Sequence, residues 1–212
     1  MNTVAESARS RGTYEERSAA MRLRLLDATI ESLAEKGFGA TTTLEVQQRA
    51  GVSRGALLHH YASRMELMIA AVEHLTRERL AALHALAAQA PPRAGRIEWA
   101  VRVLWTETFE GPLFTAALEL WLAARNDVEL RTALVPLERS LGAAINEVAA
   151  EVFGPAVATH PQFATVLEIY LDAMRGAAAR QVLRSPNSDE RLLAGWTQLI
   201  KTWVGAPSRG RR

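Results

Sequence analysis

Apolar residues recur along the chain at steps of three and four, the spacing that places side chains on one face of a helix. Leu23, Leu26, Ile30 and Leu33 follow this spacing and predict a first helix from about Tyr14 to Lys36, with Gly37 as its stop. No alternation of apolar and polar residues is long enough to indicate a strand. The pattern therefore predicts an all-α protein of about nine helices.

Two short helices and the start of a long one come next. Thr42-x-x-Glu45 and Ser63-x-x-Glu66 are capping boxes, in which a hydroxyl accepts from a free amide of the first turn. Between them, Ser53 is a suitable N-cap for a short helix that ends near His60, after a turn at Gly51. Two helices joined by a glycine turn form a helix-turn-helix, here over about residues 42–61. An ordinary solvated helical hairpin has the same spacing, so both interpretations stay open at this point.

The distribution of charge favours nucleic acid as the partner of this segment. The chain as a whole has a net charge of only +2, but no acidic residue occurs between Val46 and Arg64. The same stretch contains Arg49, Arg54, His59 and His60. A short, acid-free helix with an arginine suits the phosphate-lined major groove of DNA.

Breaks in the pattern divide the rest of the chain into helices. Pro91-Pro92, Gly111-Pro112, Gly154-Pro155 and Pro186 interrupt it, and the last helix ends near Gly205. From these breaks we expect a disordered N-terminal arm over residues 1–14 and a DNA-binding domain over 15–66. A second helical domain over 67–205 and a disordered tail over 206–212 complete the predicted organisation.

Composition argues against several classes of protein. The chain has no cysteine, which excludes disulfides and thiolate-bound metals. We find no catalytic motif and predict no cofactor. Adjacent helical residues point about 100° apart, so His59 and His60 are poorly placed to share a metal ion. No apolar run is long enough for a membrane span or a signal peptide, so we expect a cytoplasmic protein.

The segment around the predicted turn resembles the tetracycline-repressor (TetR) family of regulators. The resemblance covers about residues 20–70. It rests on Gly37-Phe38, Thr41-Thr42, Val46, Ala50-Gly51-Val52-Ser53, Gly55, Leu57, His60-Tyr61, Arg64 and Leu67. Three positions depart from the family pattern: Leu58 replaces a usual tyrosine that contacts phosphate, Ala56 a frequent threonine, and Gln47 a small residue.

The resemblance implies a role for each matching position. Thr42 and Ser53 would hold phosphates, and His60 and Arg64 would anchor others. Arg54, Ala56 and His59 would lie against base edges, where the Arg54 guanidinium suits the two acceptors of guanine. Arg49 is equally consistent with DNA contact and with a solvated position.

Aromatic residues are frequent from about residue 93 onward. Core packing explains them, but in the resembling family the C-terminal helices enclose a pocket for a small effector. We expect the pocket, for an apolar or amphipathic molecule, to be lined by Trp105, Phe109, Phe114, Trp121, Tyr170 and Met174.

The last two helices have the pattern of a homodimer interface. Small residues in one and an apolar stripe in the other would pack against a second copy, as the family does. The residues concerned are Ala177, Ala178, Leu192, Trp196, Leu199 and Trp203. A dimer would place two recognition helices on successive major grooves of a palindromic operator.

Three hypotheses about function follow. The first is a repressor that a small molecule releases from operator DNA. The second is an enzyme in the C-terminal helices, where Glu119 is the one charge in the apolar stretch 116–124. The third is a DNA-binding protein that responds to no ligand and whose C-terminal helices only dimerise.

Overall fold

The computed structural model describes residues 3–91, 94–183 and 188–205. These residues form ten α-helices and one 3-10 turn and contain no strand, which confirms the predicted all-α class. The one helix beyond the nine predicted is a single turn, Pro155–Ala158, that directly follows Gly154. The helices are α1 Thr3–Ala40, α2 Thr43–Ala50, α3 Arg54–His60, α4 Arg64–Ala87, α5 Arg96–Phe109, α6 Pro112–Ala124, α7 Val128–Phe153, α8 Pro155–Ala158, α9 Phe163–Ala179 and α10 Ser188–Gly205, with the 3-10 turn at Gln181–Leu183.

The chain divides into two compact units. The first comprises Met1–Leu75 with Thr115–Val135, and the second comprises Thr76–Phe114 with Pro136–Arg212. This division differs from the predicted domains 15–66 and 67–205. The reason is that most of α6 and the start of α7 belong with the N-terminal helices, as a bond from Phe38 to Glu119 illustrates.

Helix α1 begins earlier than its apolar pattern indicates. It starts at Thr3, so residues 3–14, predicted as an arm, are part of α1. Ala5, Glu6, Ala8 and Arg9 favour helix strongly, which allows the helix to extend past its apolar face. Met1, Asn2 and the tail 206–212 lie outside the described residues.

The core of the first unit starts in the second half of α1. Leu25, Leu26, Ile30 and Leu33 are buried there, whereas Leu23, predicted on the same face, is 44% exposed. Three hydroxyl groups in this core have partners, since Thr29 Oγ1 donates to the Leu25 carbonyl at 2.6 Å and Ser32 Oγ lies 3.1 Å from Thr41 Oγ1. The remaining buried residues of the first unit include Val46, Leu57, Tyr61, Leu67 and Met68.

A corner at Gly37 turns the chain from α1 toward α2. Gly37 has φ 75° and ψ 175°, a conformation that side chains of L-residues disfavour. The next amide, of Phe38, donates to Glu119 Oε2 of α6 at 3.1 Å. A β-carbon on Gly37 would lie 2.8 Å from the same oxygen. Glycine is therefore required both for the backbone angle and for the approach of Glu119.

The core of the second unit forms around α5 and α9. Val101, Leu104, Trp105 and Phe109 of α5 are buried, as are Tyr170 and Met174 of α9. The Tyr170 hydroxyl donates to the Val101 carbonyl at 3.1 Å and thereby ties the two helices together. No helix in the described part of the chain has the length and apolar character needed to cross a membrane.

The corner gives a prediction about stability. We expect Gly37→Ala to lower the free energy of unfolding by about 1–3 kcal/mol, because the positive φ is strained and the new methyl group pushes against Glu119. Gly39→Ala is the matched control, because Gly39 has helical geometry and open space at its β-carbon. That control should be neutral or stabilising by up to about 1 kcal/mol. Urea unfolding followed by circular dichroism compares the two, and equal stabilities would contradict this account of the corner.

Candidate nucleic-acid interface

Helices α2 and α3 are joined by a tight, fully capped turn. Thr42 Oγ1 accepts from the Glu45 amide at 3.2 Å, and Ser53 Oγ accepts from the Ala56 amide at 3.2 Å. Between them Gly51 adopts the left-handed conformation, with φ 64° and ψ 40°, and ends α2. These local bonds fix where each helix begins and ends, and they produce the helix-turn-helix that the sequence predicts.

The exposed face of α3 contains most of the predicted base contacts. Arg54 and His59 are exposed, Ala56 is half-buried, and Leu57 points inward with 1% exposure. Leu58, where a tyrosine is usual in the resembling family, is 46% exposed. Thr42 and Ser53 are also exposed at the starts of their helices. An arginine, a histidine and two helix N-termini are thus available to a ligand with phosphates.

His60 lies at the end of α3 among other basic groups. Its ring centroid is 5.5 Å from that of His59. Burial lowers the pKa of His60, and the nearby charges of His59 and Arg22 lower it further. Because its pKa is lowered, His60 is mainly neutral at pH 7 in the free protein. A phosphate would raise this pKa again, so contact with DNA would be coupled to uptake of a proton.

Arg64, predicted to anchor a phosphate, uses donors within the protein. Its Nε donates to the Thr41 carbonyl at 2.5 Å, and its Nη2 donates to the Phe38 carbonyl. The guanidinium also lies 4.3 Å from the centre of the Phe38 ring. Burial lowers the pKa of Arg64 from its ordinary value, although the group stays charged. Arg64 thus holds the corner between α1 and α2, and contact of its other N–H groups with phosphate stays a prediction.

Arg49 is held by three carboxylates on α1 and α2. It lies 2.6 Å from Glu35, 3.3 Å from Glu31 and 3.5 Å from Glu45. Lys36 also contacts Glu45 at 2.7 Å. The hydrogen bond from Arg49 lowers the pKa of Glu35, and that from Lys36 lowers the pKa of Glu45. Of the two alternatives for Arg49, DNA contact is therefore the weaker, because its charge is already balanced.

Sequence reasoning did not find the role of Glu119. Its carboxylate accepts from the Phe38 amide, while Arg64 binds the carbonyl of the same residue. The available signal was that Glu119 is the one charged residue in α6, an otherwise apolar helix. The enzyme hypothesis had noted this charge as unusual, but it lies at the corner beside the helix-turn-helix.

The predicted effector residues do not all lie together. Trp105, Phe109, Phe114, Tyr170 and Met174 belong to the second unit, and all are at most 7% exposed. Trp121 is half-buried and belongs to the first unit. It was grouped with the others because the break at Gly111-Pro112 was expected to let side chains from two short helices converge. The part of α6 that contains Trp121 instead packs with the N-terminal helices.

The aromatic residues of α5 and α6 form one connected group. The Trp105 and Phe109 ring centroids are 5.7 Å apart, and those of Phe109 and Phe114 are 5.6 Å apart. Burial raises the pKa of Tyr170, which stays protonated and donates to the Val101 carbonyl. By contrast, Trp105 Nε1 is buried and has no hydrogen-bond acceptor. A buried donor left unpaired costs about 1–3 kcal/mol.

The predicted dimer stripe on α10 lies beside the face that packs inward. Leu199 is 60% exposed, and Leu192, Trp196 and Trp203 are half-buried. The buried residues of this helix are instead Leu193, Thr197 and Ile200. On α9, Ala177 is half-buried and Ala178 is buried. Trp196 contacts the Tyr170 ring and Trp203 contacts the His160 ring, so Leu199 is the exposed member of the predicted stripe.

Known proteins with similar sequences are bacterial transcription regulators. The sequence model of a family described as bacterial regulatory proteins, tetR family, matches residues 25–71. An uncharacterised helix-turn-helix regulator of Mycobacterium tuberculosis is 27% identical over 189 residues, which cover 89% of this chain and 96% of that protein. The regulator BetI of Burkholderia thailandensis is 33% identical over 113 residues, which cover 52% of this chain and 57% of BetI.

Solved structures show the same fold. A transcriptional regulator from Rhodococcus has a TM-score of 0.69 at 21% identity, over 88% of this chain and 99% of that one. The multidrug-binding protein EbrR, complexed with imidazole, has a TM-score of 0.61 at 25% identity, over 89% of this chain and 97% of that one. With its fold and its capped helix-turn-helix, this chain is similar to transcription regulators of the tetR family, whose sequence model matches the helix-turn-helix segment. This likeness supports a role in DNA-binding regulation.

The position of Arg64 gives a prediction. We expect Arg64→Ala to lower the free energy of unfolding by about 2–3 kcal/mol, because two carbonyl groups lose a charged donor. The control is Arg54→Ala, which removes an exposed arginine and should change stability by less than about 0.5 kcal/mol. Urea unfolding monitored by circular dichroism measures both. If the two variants are equally stable, Arg64 does not hold the corner.

Proposed function

We propose that this protein is a homodimeric repressor in the cytoplasm, which a small effector releases from a palindromic operator. The observation that supports it best is the exposed, acid-free face of α3, on which Arg54 and His59 are available while Arg49 and Arg64 are engaged elsewhere. Arg54 can donate two hydrogen bonds to guanine in the major groove. The capped N-termini at Thr42 and Ser53 can receive phosphates on either side.

The effector site is proposed for the aromatic interior of the second unit. Apolar side chains with few polar groups are typical of pockets for small molecules. EbrR, with a similar fold, has been crystallised with imidazole, ethidium and malachite green. By analogy we place the effector of this chain among the buried rings of Trp105, Phe109 and Phe114.

Two helices offer a route from that site to the DNA-binding segment. Helix α6 contains Phe114 near its start and Glu119 further along, and α4 begins with Arg64 and continues into the second unit. Glu119 and Arg64 bind the amide and the carbonyl of Phe38, respectively. An effector that favours a shifted α4 or α6 would therefore move the corner that precedes α2. It acts only to the extent that it binds the shifted state more tightly.

A ligand-independent regulator is the second candidate. It is favoured by the close packing of Trp105, Phe109 and Met174, all at most 2% exposed. The two candidates differ in how operator affinity responds to a bound small molecule. If no molecule that binds the protein changes its affinity for the operator, the ligand-independent regulator is favoured.

Operator binding can be tested on DNA immediately upstream of the protein's own gene, across a salt series. We expect Arg54→Ala to weaken specific binding by about 1–3 kcal/mol, because it removes a contact to a base. Arg49→Ala is the matched control: it removes the same charge, but one that Glu31, Glu35 and Glu45 already balance. Its affinity should stay within about threefold of the wild type.

Fluorescence anisotropy with labelled duplexes gives the affinities. Equal losses in Arg54→Ala and Arg49→Ala would mean that binding depends on overall charge and not on α3. If the wild type fails to distinguish the upstream DNA from random duplex, and selection from random sequence also yields no site, the proposed function is wrong.

The dimer can be tested at Leu199. We expect Leu199→Glu to convert the protein to a monomer at micromolar concentration, because it places a charge in the middle of the proposed apolar interface. Leu122→Glu makes the same change at a leucine of α6 that is 49% exposed and should leave the dimer intact. Sedimentation velocity separates the two species. A wild type that is monomeric throughout would refute the proposed assembly, as would a Leu199→Glu variant that stays dimeric.

A further inference from the structure

The indole N–H of Trp105 is a hydrogen-bond donor enclosed in the second unit. The side chain is 1% exposed, and Nε1 has no acceptor within hydrogen-bond distance among the residues that the structure describes. Buried polar groups in folded proteins almost always have partners, so an unpaired donor indicates strain or a missing partner. It occurs on one of the residues that the sequence predicted to line the effector pocket.

The surroundings of this donor are apolar and uncharged. Trp105 packs beside Phe109, which packs edge-on against Phe114, and Ala100, Val101 and Leu104 on the same helix are fully buried. Other polar groups of this core are the Tyr170 hydroxyl, which donates to the Val101 carbonyl, and the buried Thr197 of α10. Among the described residues no charged side chain is buried as a whole, and one carboxylate oxygen of Asp189 is enclosed in the second unit. Beside the aromatic rings, the Trp105 N–H is therefore a donor that a ligand could use.

We propose that Trp105 Nε1–H is the hydrogen-bond donor that recognises the effector. The effector is then an uncharged, largely apolar molecule with an acceptor atom, such as an aromatic nitrogen, an ether or a carbonyl oxygen. A permanently charged molecule, such as the ethidium and malachite green cations crystallised with EbrR, is disfavoured, because the aromatic rings beside Trp105 hold no charge to balance it. This inference rests on the proposed effector site in the second unit and specifies the chemistry of its ligand.

The enclosed position of Trp105 also connects binding to a change in shape. A ligand that reaches Nε1 must displace packed neighbours, and Phe109 and Phe114 are the aromatic rings of its connected group. Phe114 is in α6, the same helix as Glu119. The ligand that satisfies the donor therefore acts on the helix that holds the corner at Phe38.

The test uses the full-length protein and a matched pair of probes. Quinoline and naphthalene have nearly the same shape, but only quinoline has an acceptor nitrogen. The five tryptophans give separate indole signals in ¹⁵N–¹H spectra, and Trp105→Phe identifies one of them by its loss. We expect quinoline to move the Trp105 indole proton downfield, as a new hydrogen bond does, and naphthalene to leave it nearly in place.

Affinities supply a second readout. We expect Trp105→Phe to weaken the binding of quinoline by about fivefold to tenfold, the effect of one lost hydrogen bond. The affinity for naphthalene should change much less. The wild-type spectra test the idea even if the variant folds poorly. If both probes perturb the methyl and aromatic signals of the core but affect the Trp105 indole equally, the inference is wrong and the effector site survives. If neither probe perturbs the second unit, the inference about Trp105 and the proposed effector site are both wrong. A failure to bind operator DNA, by contrast, would count only against the proposed function.

Discussion

The backbone of Phe38 is held on both sides, and the position of the helix-turn-helix depends on it. Glu119 of α6 accepts from its amide at 3.1 Å, and Arg64 at the start of α4 donates to its carbonyl. Gly37 makes this possible, because no other residue fits its positive φ with a carboxylate so near. Four residues later Thr42 caps α2, so the corner determines where α2 and α3 begin relative to α1. These two bonds, one on each of the peptide groups that flank the Phe38 α-carbon, each involve a charged side chain and are stronger than neutral hydrogen bonds would be.

The basic residues around this corner have different roles, because some bind groups within the protein and Arg54 is exposed. Arg64 holds the corner, and Arg49 ties α2 to α1 through three carboxylates. Arg54 has no such internal role and projects from the exposed side of α3. The local excess of basic residues in the sequence thus overstates the number available to DNA. Under the proposed function, specificity would depend on few side chains, and the exposed Leu58 offers an apolar surface where the resembling family usually has a tyrosine.

Local features of this fold could be predicted from sequence, and long-range ones could not. The caps at Thr42 and Ser53 and the turn at Gly51 depend on neighbouring residues, and the structure confirms all three. Arg64 and Glu119 act on residues 26 and 81 positions away, respectively, and no periodic pattern indicates such partners. Trp121 was misplaced for the same reason, because the division of the chain into units depends on how α6 packs. The N-terminal extension of α1 was missed because helix propensity alone, without an apolar face, is a weak signal.

The central claim is that α3 reads a specific DNA sequence as one half of a dimer. Selection of binding sites from random duplex DNA by the full-length protein tests this most directly. The account predicts an enriched palindrome whose half-sites are about one helical turn, or ~10 base pairs, apart, with guanine at a position that Arg54→Ala no longer selects. An enriched site without internal symmetry, or the absence of any enrichment over random sequence, would contradict it.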